Sequence, residues 1–280
     1  QVVLAAQNYH DAVGTFPPGI NVSPNAKDPN PQYNLIAPWS GPYTGSLAYL
    51  LPYVEQDNAY KALTTFDPRL FQPNSTAPAW AYGYGPFDFQ STLPPSQWNG
   101  TGGGYPKAVN TNIATYRCPS DPGVTAPLVL DALLINVRPP VGFFVYYDWV
   151  INVPGFGGEM GRANYVGVMG GFGKVEPDDT GHSTWSPFTG IYYVNSKTRI
   201  ADVTDGTSNT MAFGEYLGGL HNDGTREVEA SWMGAGCLVT KYGLAPIYGP
   251  LGNDYNPLQF QSKHGGVVNF AFADGSVRGI

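Results

Sequence analysis

The chain has 280 residues, a net charge of -7 and only 12% charged residues, against 42% hydrophobic residues and 14% aromatics. Its 14 basic residues form no stripe able to neutralise a phosphate backbone, which disfavours nucleic acid and anionic membrane surfaces as partners. No apolar run reaches the ~18 residues that a spanning helix needs, and the 19 tyrosines supply apolar area that disordered chains lack.

From the start of the chain, Val2, Ala5, Ala6, Tyr9 and Val13 recur at spacings of three and four and predict the last turns of an N-terminal helix over 1–16. Gly14 can cap that helix, and Pro17-Pro18 must end it. Residues 20–45 are rich in Pro, Asn and Gly and read as a surface loop. Leu47, Leu50, Leu51 and Val54 then predict one or two helical turns, with Pro52 able to open the second. Tyr192-Tyr193-Val194 and residues 209–215 read as strands, and 200–204 as a short helix or turn ended by Gly206. At the C-terminal end, Asp274-Gly275 predicts a two-residue type I′ hairpin in which Ala273 faces Ser276, Phe272 faces Val277 and Ala271 faces Arg278. Val268, Phe270, Phe272 and Val277 would then share one apolar face. No repeat is visible, which excludes solenoids and propellers.

The tail, SKHGGVVNFAFADGSVRGI at 262–280, places a histidine, nine residues and then Asp-Gly. This resembles the C-terminal signature of DUF1559, a group of bacterial pilin-like surface proteins. NYHDAVGTFPPG at 8–19, SLAYLLPYVEQDNAY at 46–60, YRCPSDPG at 116–123, ANYVGVMG at 163–170 and GIYYVNSKTRIADVTDGTSNTMAFGE at 190–215 resemble further blocks of the family, in the same order. Residues 68–104 and 124–151 match none of them and read as inserted loop regions. The resemblance implies an α+β, pilin-like fold over 1–280. An N-terminal helix would pack on a C-terminal antiparallel sheet drawn from 190–280, with long loop insertions. In pilin-like proteins such a helix is preceded by an apolar half that anchors the membrane and then forms the filament core. That half is missing here, and the start at Gln1 need not be the biological one.

Several residues invite chemistry. An imidazole and a carboxylate, His264 and Asp274, can ligate zinc or relay protons. Asp274 belongs to the turn itself, however, where its side chain can bond the backbone two residues on. His264 would lie about 30 Å away along an extended strand. His264, Asp274 and Gly275 are therefore expected to be structural, with His264 bracing a neighbouring loop. Asp202 and Asp205, close to Gly206, Thr207 and Asn209, gather oxygen donors that suit calcium, the one candidate cofactor, although turns and helix caps use the same residues. Cys118 and Cys237 are a candidate disulfide, the alternative being two unpaired thiols. Asn21, Asn74 and Asn99 head acceptor sequons for glycosylation. Nucleophile, phosphate-loop and dinucleotide motifs are absent, so no catalytic residue and no enzyme activity is expected.

These readings, with the resemblance, point to a self-associating structural subunit of an extracellular or cell-surface filament, similar to type IV pilins and the pseudopilins of type II secretion. Its non-closing, heterologous interface is expected around Val2, Val3 and Tyr9 and the two insertions. The runner-up is a secreted carbohydrate-binding module that would stack glycans on aromatic runs such as 80–89. A metal-dependent hydrolase, the third class, would need His264, His10 and several acids to converge.

Overall fold

A computed structural model describes residues 1–22, 42–73, 75, 77, 106–121, 128–138, 142–151, 160–175, 177, 181–219, 226, 228–234, 236–244 and 258–280, with backbone alone for 128–138, 142–151 and Val228. Among these, no helix is long and apolar enough to cross a membrane.

The first helix, α1 (Val2–Val13), follows the predicted periodicity, and Gly14 caps it in the left-handed region at φ 88°, its N–H donating to the His10 carbonyl. Val2, Val3, Ala5 and Ala6 are buried, so Val2 and Val3 face the core and not a surface open to another subunit. The exposed apolar residues of the helix are instead Leu4 and Val13.

Beyond α1, β1 (Ile20–Val22) and β2 (Pro42–Gly45) pair antiparallel where the sequence reads as loop. Next come α2 (Ser46–Tyr49), a 3-10 turn at Leu51–Val54 containing Pro52, and α3 (Asp57–Phe66). The segment around Tyr192-Tyr193-Val194 is not a strand and makes only an isolated bridge from Val194 to Ile20. There the Asn195 side chain takes over the role of a neighbouring strand, accepting from Val22 N–H and donating to Val22 C=O.

Among the described residues, two larger sheets follow. The first has the order β11-β10-β7-β6-β9, formed by β6 (Tyr165–Val168), β7 (Met211–Glu215), β9 (Cys237–Leu238), β10 (Asn269–Phe272) and β11 (Val277–Gly279). It is antiparallel except for the β6–β9 pair. The second joins β3 (Leu128–Arg138) and β4 (Gly142–Ile151) to β8 (Val228–Ser231) and β5 (Arg162–Ala163). The segment 124–151, expected as an inserted loop, thus contributes a long β-hairpin. Helix α1 lies on the first sheet, with the Gln7 side chain donating to Ala273 C=O at 2.9 Å. Ala271 and Ala273 belong to the apolar cluster that includes α1, whereas Phe270 and Phe272 point into a second cluster with Val166, Val168 and Phe260. Mixed helix and sheet, with the N-terminal helix on a largely antiparallel sheet, is the α+β class expected, but the sheet is not drawn from 190–280 alone, since β6 is inserted between β7 and β9.

The terminal hairpin forms, but in a different register. Ala271 pairs with Val277 and Phe270 with Arg278, one residue away from the expected pairing. Gly275 N–H donates to Phe272 C=O at 2.9 Å and Phe272 N–H to Ser276 C=O at 2.8 Å, which makes a three-residue loop. Positive φ is needed only at Gly275, at 93°, and not at Asp274 as a type I′ turn would require. A one-residue slip reverses the faces of β11, so Val277 leaves the apolar face and is 63% exposed.

Candidate functional site

Four segments far apart in the sequence meet at the end of β7. Asn164, at the bend between β5 and β6, holds them together. Its N–H donates to Tyr116 C=O, its Oδ1 accepts from Cys118 N–H at 2.9 Å, its Nδ2 donates to Asp121 Oδ2 at 2.7 Å, and its C=O accepts from Tyr216 N–H at 2.7 Å. A single asparagine thereby pins the YRCPSDPG turn against β7. Gly214, just before Glu215, is dictated by packing, since a Cβ there would come within 2.7 Å of the Phe260 and Phe270 rings.

Below this staple lies a chain of buried charges. Arg226 and Asp121 form an ion pair in which both side chains are fully or almost fully buried. Lys263 approaches Asp121 at 3.3 Å, while Glu229 bridges Arg226 at 3.5 Å and Arg162 at 3.3 Å. Burial alone would raise the Asp121 carboxyl, but the hydrogen bond and charge of Arg226, with help from Asn164 and Lys263, hold it at about 2.

Beside these charges, Cys118, Glu215 and His264 converge. Glu215 Oε1 lies 3.0 Å from His264 Nε2 and 3.5 Å from Cys118 Sγ, and Nε2 lies 3.4 Å from Sγ. The other Glu215 oxygen, Oε2, accepts from Asn269 N–H at 2.8 Å, and His264 N–H donates to Ser262 Oγ at 2.9 Å. Cys118 and Glu215 are buried, whereas His264 is 32% exposed and leaves the cluster reachable from solvent. Cys118 also lines a cavity of about 600 Å³ with Asp121, Met160 and Arg162.

The geometry separates two kinds of chemistry. A thiol nucleophile needs a histidine that faces the sulfur with one ring nitrogen and its orienting carboxylate with the other. Here the same nitrogen faces both. Burial, and then Glu215, push the Cys118 thiol up, the opposite of what a reactive thiolate requires. The three side chains bring a sulfur, a nitrogen and an oxygen donor within 3.5 Å of one another.

The residues singled out in the sequence are scattered. His264 does brace a neighbouring segment, the 116–121 turn, together with the end of β7. Asp274 stays in its own turn, accepting from the Ser276 N–H and hydroxyl. Asp202 is wrapped by Arg199, which donates its N–H, Nε and NH2 to the carboxylate, so this acid is already satisfied by a guanidinium. Asp202 and Asp205 belong to no group of three or more His, Cys, Asp or Glu donors among the described residues. Cys118 and Cys237 are both free. Cys237 is fully buried in β9, where burial lifts its thiol to about 12, while Cys118 is committed to the cluster. Asn21 cannot serve as a glycan acceptor as folded, because it is buried and its amide donates to Gln72 C=O at 2.8 Å. Asn74, Asn99 and the aromatic run 80–89 lie outside the described residues. His10 sits at the end of α1, accepting from Ile200 N–H, and does not join His264.

Sequence reasoning missed Glu215, Asn164 and the Asp121–Arg226 pair. A signal was present: Cys118, Asp121, Asn164 and Glu215 all stand within the blocks that carry the family resemblance, and Glu215 is a lone charge closing an apolar strand. Residues 1–280 match a family model described as a protein of unknown function, DUF1559. No curated protein and no solved structure matches the chain.

Proposed function

The chain belongs to the DUF1559 family, and from that premise we propose that it is a structural subunit of an extracellular or cell-surface filament, built on the plan of type IV pilins and the pseudopilins of type II secretion. One observation carries this reading. Where α1 crosses the terminal hairpin, apolar side chains stand in solvent beside a strand that is unpaired on one side among the described residues. Leu4 is 54%, Val277 63%, Ile280 46% and Val267 38% exposed. Leu4 lies next to Gly275 and Val267 next to Gly279, whose face of β11 Val277 shares, so these three gather on the α1 side of the hairpin, while Ile280 alternates to the other face with Arg278. β11 is the edge of its sheet among the described residues.

An apolar patch along an unpaired edge is a liability for an isolated protein and an asset for a polymer. Its natural occupant is a second copy of the chain, docked through a different patch, so that the contact repeats without closing. The weak overall charge limits the repulsion that such stacking has to overcome.

Negative-stain electron microscopy of the purified full chain over a range of concentrations tests the proposal. Helical fibres of uniform width are expected. Dispersed monomers at every concentration would overturn it, and glycan affinity in those monomers would point to a carbohydrate-binding module instead.

A further inference from the structure

We propose that Cys118, Glu215 and His264 are the protein ligands of a divalent transition-metal site of the zinc class, with a further coordination position facing solvent.

Distances carry this first. Zinc binds sulfur at about 2.3 Å and nitrogen or oxygen at about 2.0–2.2 Å in a tetrahedron, so its ligand atoms stand about 3.5 Å apart on a sulfur-to-nitrogen or sulfur-to-oxygen edge and about 3.3 Å apart on a nitrogen-to-oxygen edge. The three edges here measure 3.4, 3.5 and 3.0 Å. An ion therefore fits with movements of a few tenths of an ångström.

Donor chemistry narrows the metal. Thiolate with imidazole and one carboxylate suits zinc, cobalt or ferrous iron, and disfavours calcium and magnesium, which prefer oxygen alone. Three protein ligands leave a tetrahedral ion one position short of closure. His264 lies at the solvent side of the set, so that position is open to water or a small ligand.

The supporting shell is already built. Oε2 of Glu215 is tied to Asn269 N–H, the backbone of Cys118 to Asn164, and that of His264 to Ser262. Such outer contacts orient ligands before a metal arrives. Charge points the same way. Asp121, Arg226, Glu229, Arg162 and Lys263 are paired among themselves, while the ion-pair partner of buried Glu215 is His264. A divalent cation would balance the carboxylate together with a thiolate. On binding, the Cys118 thiol proton passes to water, and the imidazole hydrogen moves from Nε2 to Nδ1 so that Nε2 can donate its lone pair. The ion would join the YRCPSDPG turn, the end of β7 and the segment after Phe260 as one clasp.

Metal-free full-length protein titrated with Co²⁺ or Zn²⁺ tests the site. One equivalent of Co²⁺ should produce a thiolate-to-cobalt charge-transfer band and tetrahedral visible bands, and Zn²⁺ should displace it. Cys118→Ser should abolish the charge-transfer band. His264→Gln, at a partly exposed position that leaves the core intact, should weaken binding more than about 100-fold, beyond what loss of an outer-shell contact costs. Absence of stoichiometric uptake, or uptake unchanged in His264→Gln, would overturn the proposal and leave the trio as a hydrogen-bonded brace. The second variant decides the matter even if Cys118→Ser fails to fold. Fibre formation is scored separately by microscopy, so failure of the metal site would leave the filament reading standing.

Discussion

Asp121 is a carboxylate with no exposed side-chain surface, held in place by Arg226 and Asn164. Taking one partner from a buried pair leaves the other charge uncompensated, which costs about 3–5 kcal/mol. Asp121→Asn should therefore lower the free energy of unfolding by about 3 kcal/mol, near the bottom of that range because Glu229 still accompanies Arg226 at 3.5 Å. Urea denaturation at neutral pH measures this. The folded carboxyl titrates at about 2 against an ordinary 3.8, so its contribution is complete above pH 3.8 and fades as pH falls towards 2. The wild-type urea midpoint should fall steeply across that window, and the slope should flatten in Asp121→Asn.

The terminal hairpin shows how an element depends on one backbone conformation. Gly275 adopts φ 93°, and no atom comes closer than 3.5 Å to the place a Cβ would occupy, so a substitution meets backbone strain without a clash. Left-handed backbone costs an L-residue about 1–2 kcal/mol, and Gly275→Ala should lower stability by about that amount with fold retained, as read from the thermal midpoint and circular dichroism. That a hairpin exists was legible from Asp-Gly between alternating apolar residues. Its register was not, because the same dipeptide suits a two-residue turn or a three-residue loop with glycine last, and the pairing of β10 with β7 helps to select between them. Helix α1 was legible nearly to the residue, since the stripe, Gly14 and the two prolines all agree. The β3–β4 hairpin was hidden behind the absence of family blocks over 124–151, although its apolar, β-branched composition is what a strand needs.

At the scale of the molecule, the proposed assembly and the proposed metal clasp would make separate demands on the surface. Val277 is 63% exposed, so Val277→Lys should change monomer stability by no more than about 0.5 kcal/mol while placing a charge on the apolar patch and suppressing fibres. Sedimentation and electron microscopy under conditions where wild type assembles measure the loss. Fibres of undiminished length would move the interface elsewhere.

What the sequence by itself determined is local or compositional: the first helix and its cap, the short helical turns after Gly45, β7, a C-terminal hairpin, the lack of a spanning helix among the described residues, and membership in a family recognised from ordered blocks. Those features follow from periodicity within a few residues, or from counting. Only the tertiary structure decided that Cys118, Asn164, Glu215 and His264 share one point in space, that Asn21 is buried, and that Val277 faces outward. Contacts between residues 46 to 146 positions apart are set by how sheets and turns pack, and by a register that reverses every side chain when it slips by one.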